Sequence, residues 1–176
     1  FFRPYAQEIE HSIHILERFD YHITLANFSI TINGVQPLLE NNGEINIING
    51  RNPLLELAKK TVVPLNLNMD NNENILLLSG PNAGGKTVTL KTVGLFSIMA
   101  QCGIFIPAEK STLPIFTQIL CDIGDQQSIE DDLSTFSAHV QNLSAIIEKS
   151  DKNTLILLDE LGTGTDPDAG AAISRA

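Results

Sequence analysis

The sequence predicts an α/β fold: a mostly parallel central sheet flanked by helices, with a small antiparallel sheet and an N-terminal helix attached. Three observations carry that expectation. An apolar run at residues 75–78 leads through a glycine-rich loop into a helix-forming segment. A second apolar run, residues 154–158, stops at an acidic pair. Two further segments, residues 44–48 and 65–69, alternate apolar with polar residues, which is the period of a half-exposed strand.

Taken in order, residues 6–32 carry Ile9, Ile13 and Leu16 at helical spacing. Residues 37–43, from a proline to a glycine, break that pattern. The two alternating segments then read as strands of the small sheet, with residues 51–55 between them. The run at 75–78 reads as a central strand, and residues 85–102 as a helix apolar on nearly every side that should be buried. A strand near residues 115–121 follows. A helix with Phe136, Val140, Leu143, Ile146 and Ile147 at helical spacing comes next, then the apolar run 154–158 and a last helix after Pro167.

The loop at the end of the first run is Gly80-Pro81-Asn82-Ala83-Gly84-Gly85-Lys86-Thr87, followed by Val88. Two glycines, Gly80 and Gly85, with four residues between them, then Lys and Thr, between a strand and a helix, is the Walker A spacing of a phosphate-binding loop. Glycine lets successive N–H groups turn into one concavity that holds phosphate oxygens, and the following helix adds its positive end. Lys86 would reach the outer phosphates, and the Thr87 hydroxyl would face Mg²⁺, an ion that prefers oxygen. The spacing therefore implies a nucleoside triphosphate ligand with Mg²⁺.

The second apolar run ends in Asp159-Glu160, a Walker B pattern. A short continuous apolar run is what a strand buried on both faces of a parallel sheet requires, and its carboxyl end is where open α/β sheets bind ligands. Asp159 would face Mg²⁺, directly or through water. Glu160 is placed to orient or deprotonate an attacking water. Between the two patterns, Leu133-Ser134-Thr135-Phe136-Ser137 opens a helix. Ser134 reads either as an N-cap or as part of a second anion site, and the second reading requires a partner whose nucleotide this helix would cover.

Composition constrains the partners. The chain has 176 residues, 43% hydrophobic, enough for one sizeable core plus an attached helix. Its net charge is −10 and its basic residues are dispersed, which argues against a nucleic-acid contact within this segment. Glu130, Asp131 and Asp132 read as a solvated acidic loop. No apolar stretch is long enough for a signal peptide or a membrane span, so the expected compartment is cytoplasmic. Cys102 and Cys121 lack metal-ligand spacing and read as reduced thiols in packed positions. Among the histidines, His11, His14 and His22 fall in the first helix, and His139 reads as an ordinary residue on the face of the third predicted helix.

The phosphate loop, Ile-Pro-Ala at 106–108, Ile-Gly at 123–124, Ser-Thr-Phe at 134–136 and Asp-Glu-Leu-Gly-Thr-Gly-Thr at 159–165 together resemble the ATPase domain of the MutS family, a branch of the ABC-type P-loop ATPases. Residues 88–94 and 122–137 are most similar to the bacterial type 2 branch. The resemblance implies a P-loop NTPase fold of ABC type. Residues 1–36 would be the end of a lever helix, and 37–176 an ATPase domain ending before the family's switch histidine. It implies ATP and Mg²⁺ as ligands, Glu160 as catalytic carboxylate, Ser134 acting on the γ-phosphate of the opposite subunit, and Gln127 in the segment that couples nucleotide state to the rest of the molecule. Asp166 matches the family's D-loop. Residues 51–55 resemble the family's loop before the second strand of the small sheet. Val62 and Val63 fall where relatives contact adenine. The implied partners are a second copy of the chain through the ATPase faces, and DNA or a stalled ribosome through other domains. Two other readings stay open: a transporter's nucleotide-binding subunit, disfavoured by Ser-Thr-Phe-Ser in place of Leu-Ser-Gly-Gly, and a nucleotide-binding module without turnover.

Overall fold

The structure, a computed structural model, describes residues 3–41, 43–81, 84–123 and 132–159, the side chains of 132–138 excepted. After a 3₁₀ turn at Arg3–Tyr5 come α1 (Ala6–Thr31), β1 (Leu38–Glu40), β2 (Ile45–Gly50), α2 (Pro53–Leu57) and β3 (Leu65–Met69). They are followed by α3 (Lys86–Gln101), β4 (Lys110–Pro114), β5 (Gln118–Asp122), α4 (Asp132–Lys149) and β6 (Thr154–Leu158). The chain divides into two units. One comprises Phe1–Asn74 with Ile98–Pro114, the other Ile75–Ser97 with Ile115–Ala176.

The first unit is built on a four-stranded mixed sheet in the order β1-β4-β2-β3. The two alternating segments form the antiparallel pair β2–β3, as their period requires, with Ile45 opposite Met69 and Ile47 opposite Leu67. Ile45, Ile47, Ile106 and Leu113 supply the buried core of this unit. A bulge between Ile47 and Gly50 shifts the register. There Asn49 takes a positive φ of 52°, and its amide donates to Asn66 Oδ1 at 3.0 Å while its side chain donates to Glu109 Oε2 at 2.7 Å. The short β1 lies inside the predicted break, and β4 precedes the predicted strand at 115–121. β1 is too short, and β4 lacks the alternation, to be marked as a strand in sequence. The expected loop at 51–55 is instead the start of α2. Asn52 caps it by accepting the amides of Leu54 and Leu55 at 3.0 and 3.3 Å, and Pro53 fits its first position.

Among the described residues, the hydrogen bonds that tie α1 to other segments come from its last turns. Tyr21 donates to the Cys102 carbonyl at 3.4 Å, and Ser29 Oγ donates to the Leu25 carbonyl while accepting the Phe105 amide at 3.1 Å. Val35 and Ile106 exchange backbone hydrogen bonds beyond the helix. Ile9, Ile13 and Leu16, the apolar row that announces α1, are exposed.

The second unit contains the parallel pair β5–β6, in register from Gln118 opposite Thr154 to Asp122 opposite Leu158. Parallel strands cannot be joined by a tight turn, and α4 lies within the connection between them. Leu157 of β6 packs so closely on Gly94 of α3 that a Cβ there would stand 2.6 Å from Leu157 Cδ1. Phe96, fully buried, and Ile146 join them in the core.

Further expectations need correction. The run at 75–78, expected as a central strand, has no ladder partner among the described residues, and Ile75 and Leu77 are 88% and 86% exposed. A strand exists only through the backbone groups of a neighbour, and β5 and β6 each pair along one edge, with the other. The parallel sheet is therefore two-stranded among the described residues, and the larger sheet is mixed. The strand near 115–121 starts later, at Gln118. The helix α3 is not buried all round: Val88, Lys91 and Ile98 are exposed, while Thr92, Val93, Phe96, Ser97, Met99 and Ala100 are buried, so one face is covered. Cys102 and Cys121 are free thiols but exposed, the first in the turn after α3 and the second on the outward alternation of β5. The helix expected after Pro167 lies outside the described residues.

Two outcomes follow for stability. Gly34 lies in the turn after α1, where a Cβ would stand 2.9 Å from Phe105 Cβ and 3.0 Å from its carbonyl carbon. Gly34→Ala should therefore destabilise the chain by about 1–3 kcal/mol, read as a lowered urea midpoint. Asp151, at the foot of β6, accepts the Asn153 amide at 2.8 Å and the Thr154 and Thr117 hydroxyls at 3.0 Å, and these bonds hold its carboxyl below the ordinary value of 3.8. A lowered carboxyl pKa contributes stability above the unfolded value, and that contribution is lost as pH falls through the folded one. Asp151→Ala should accordingly melt at a lower temperature than the parent near neutrality, and the gap should close below pH 3.8.

Candidate nucleotide-binding site

The described part of the Walker A loop has the backbone its glycines predict. Gly80 and Gly85 take φ of 143° and 81°, a region that L side chains rarely enter. Nothing lies within 4 Å of a Cβ built on either, so the requirement there is conformational. The Gly84 amide donates to the Pro81 carbonyl at 2.8 Å, which closes the turn before α3. The Lys86 ammonium reaches back to the Gly80 carbonyl at 2.5 Å, linking the last part of the loop to its start.

Thr87 lies in the first turn of α3, with its side chain toward the end of β6. Its hydroxyl donates to Asp159 Oδ2 at 2.5 Å, a contact between residues 72 apart in sequence. The Asp159 amide donates to the Asp122 carbonyl at 3.0 Å, which carries the β5–β6 ladder one residue past its last pair. The two patterns recognised independently in the sequence thus meet, through two oxygen-bearing side chains, at a helix N-terminus and a strand C-terminus.

These residues fit a Mg²⁺–triphosphate. Mg²⁺ keeps several waters and takes one or two protein oxygens plus phosphate oxygens, and Thr87 and Asp159 offer such a pair. Among the described residues no group of three or more His, Cys, Asp or Glu side chains is gathered as a protein-only metal cage would need. Lys86 and the amides at the start of α3 supply positive charge beside that pair.

Other expected site residues are less fully placed. Ser134 is in the first turn of α4, its side chain outside the described residues. Asn82, Ala83, Gln127, Glu160, Asp166 and the acidic residues Glu130 and Asp131 also lie outside them, and Asp132 opens α4. Val62 and Val63 sit in irregular chain before β3, with Val63 exposed.

One cluster escaped the sequence reading. His139, expected as an ordinary helix-face residue, is 25% exposed, and its Nδ1 lies 2.7 Å from Asp122 Oδ2. Asn142, one turn further along α4, donates to Asp122 Oδ1 at 3.3 Å. A donor-capable pair at i and i+3 on a helix that follows a strand ending in aspartate was the available signal. The spacing alone is too common to single it out.

A family profile described as MutS domain V matches residues 76–176, more than half of the chain. The chain is also similar to three proteins named Endonuclease MutS2. The one from Caldicellulosiruptor saccharolyticus is 48% identical, that from Alkaliphilus metalliredigens 49%, and that from Listeria monocytogenes 46%, each over 173 residues, which is 98% of this chain and 22% of the relative. The chain spans about a fifth of the length of these curated relatives. Among the described residues, no helix is long and apolar enough to cross a membrane.

The Thr87–Asp159 pair can be tested directly. Thr87→Val keeps the shape but removes the hydroxyl, and should raise the Mg²⁺ concentration needed for tight nucleotide binding by about tenfold or more. Titration of Mg²⁺ into the chain with a fluorescent ATP analogue reads that midpoint.

Proposed function

The chain belongs to the MutS family and carries its ATPase domain, and we propose that it binds and hydrolyses ATP as the motor of a nucleic-acid clamp of the type 2 branch. In this reading residues 1–36 end a lever helix and 37–176 form an ABC-type P-loop ATPase domain. The observation that carries the proposal is the Thr87–Asp159 contact, which joins the phosphate loop to the end of the Walker B strand.

Each residue then has a task. The loop from Gly80 to Val88 holds the phosphates with backbone amides, and Lys86 leaves the Gly80 carbonyl for the outer phosphate oxygens. Thr87 and Asp159 hold the metal, directly or through water. When bound, Mg²⁺ neutralises charge on the β- and γ-phosphate oxygens and fixes their geometry. Glu160 orients and deprotonates the attacking water for in-line displacement at the γ-phosphorus. Ser134, with the start of α4, covers the γ-phosphate of the opposite subunit, so two chains pair head to tail around two nucleotides. Gln127 and Asp166 belong to the segments that report nucleotide state.

The net charge of −10 supports a division of labour in which nucleic acid, free or within a ribosome, is held by domains other than this one. Because the chain covers about a fifth of its relatives, the client of the whole protein is part of the proposal. The testing experiment is light scattering of Glu160→Gln with and without Mg²⁺-ATP. Blocked hydrolysis should trap a dimer that Ser134→Ala abolishes, whereas nucleotide binding by a chain that stays monomeric would defeat the paired-site mechanism.

A further inference from the structure

Asp122 has two attachments that face different parts of the molecule. Its carboxylate, 12% exposed, accepts from His139 Nδ1 at 2.7 Å and Asn142 Nδ2 at 3.3 Å, both on α4. Its carbonyl accepts the amide of Asp159 at 3.0 Å, and Asp159 Oδ2 in turn accepts the Thr87 hydroxyl. A carboxylate drawn this far from water needs donors on both oxygens, and α4 supplies one to each.

We propose that Asp122 is a positioning residue, and that through it His139 and Asn142 of α4 set the place of Asp159 at the metal-binding end of β6. The inference rests on the ATPase reading above and deepens it. Asp122 is the last residue of β5 and pairs with Leu158. The position of its carbonyl is therefore fixed by the ladder on one side and by the two carboxylate bonds on the other. A shift of α4 along its axis would have to move the Asp122 side chain or break its bonds. Either change reaches the amide of Asp159 through one hydrogen bond. The same helix carries Ser134 in its first turn. One rigid element thus holds both the residue proposed to act across the dimer and the residues that orient the metal aspartate within its own subunit.

The second attachment is a side-chain clamp, so it can be cut without touching a ligand residue. In the full chain, His139→Ala should raise the Mg²⁺ concentration needed for tight binding of a fluorescent ATP analogue by about tenfold, as loss of a partner behind a metal ligand does. Binding of the same analogue without Mg²⁺ should stay at the parent level. His139→Gln, which keeps a donor near the Asp122 carboxylate, should restore the Mg²⁺ midpoint. In the nucleotide-free chain, NMR-detected exchange should show lost protection of the Asp159 amide in His139→Ala and its return in His139→Gln. An unchanged Mg²⁺ midpoint with a fully protected Asp159 amide would overturn the proposal. So would an equal loss of binding with and without Mg²⁺, since a merely structural role predicts that result. If the parent chain itself binds no nucleotide, the ATPase reading fails and this inference fails with it; a parent that binds with Mg²⁺ dependence confines any failure to Asp122.

Discussion

Everything at the candidate site depends on β5 and β6 running parallel. In an antiparallel pair the ends of two neighbouring strands point to opposite edges, and residues that follow them part company. Here both carboxyl ends reach one edge, so Asp122 and Asp159 become neighbours although a helix and a loop separate them in sequence. The ladder's continuation past its last pair keeps Asp159 extended, which directs its side chain to the first turn of α3. The close approach of Gly94 to Leu157 brings α3 against β6, so the helix that starts with Lys86 and Thr87 has no room for a larger residue at that crossing.

The first unit has a different logic. Its mixed sheet pairs strands of both directions, and its bulge at Asn49 is stabilised by side chains from two neighbouring segments. The end of α1 is fastened to the segment after α3 by backbone groups and by two hydroxyls, Tyr21 and Ser29, in place of a broad apolar contact. Hydrogen bonds fix direction more sharply than apolar burial, which is non-directional. The orientation in which α1 leaves this unit is accordingly specified at a few atoms.

The site was legible in sequence to the extent that it is local. The Walker A spacing needs eight consecutive residues, and the positive φ of Gly80 and Gly85 follows from their type. The Walker B pattern is a short apolar run with an acid at its end, and β6 has the expected residues. The β2–β3 pair was legible because alternation survives where one face of a sheet is covered. What the sequence did not disclose is pairing. The run at 75–78 has the composition of a strand, but composition names no partner, and β1 is too short for a period to appear. The Asp122 clamp was hidden for a related reason: it joins residues whose proximity is created by the fold, and no local spacing distinguishes His139 from any polar residue on α4.

The inward fold of Lys86 ties its ammonium to the backbone of its own loop. A flexible ammonium left in water would have to be gathered at each encounter, with loss of rotamer freedom. Bonded to the Gly80 carbonyl, it is already on station, and on the proposed ATPase reading arrival of a phosphate would be an exchange of acceptors. The exchange runs downhill because an anionic oxygen accepts more strongly than a neutral carbonyl. On that reading selectivity would enter at the same step: a neutral solute offers the lysine no stronger acceptor than the carbonyl, so the loop would discriminate by charge before any shape is read.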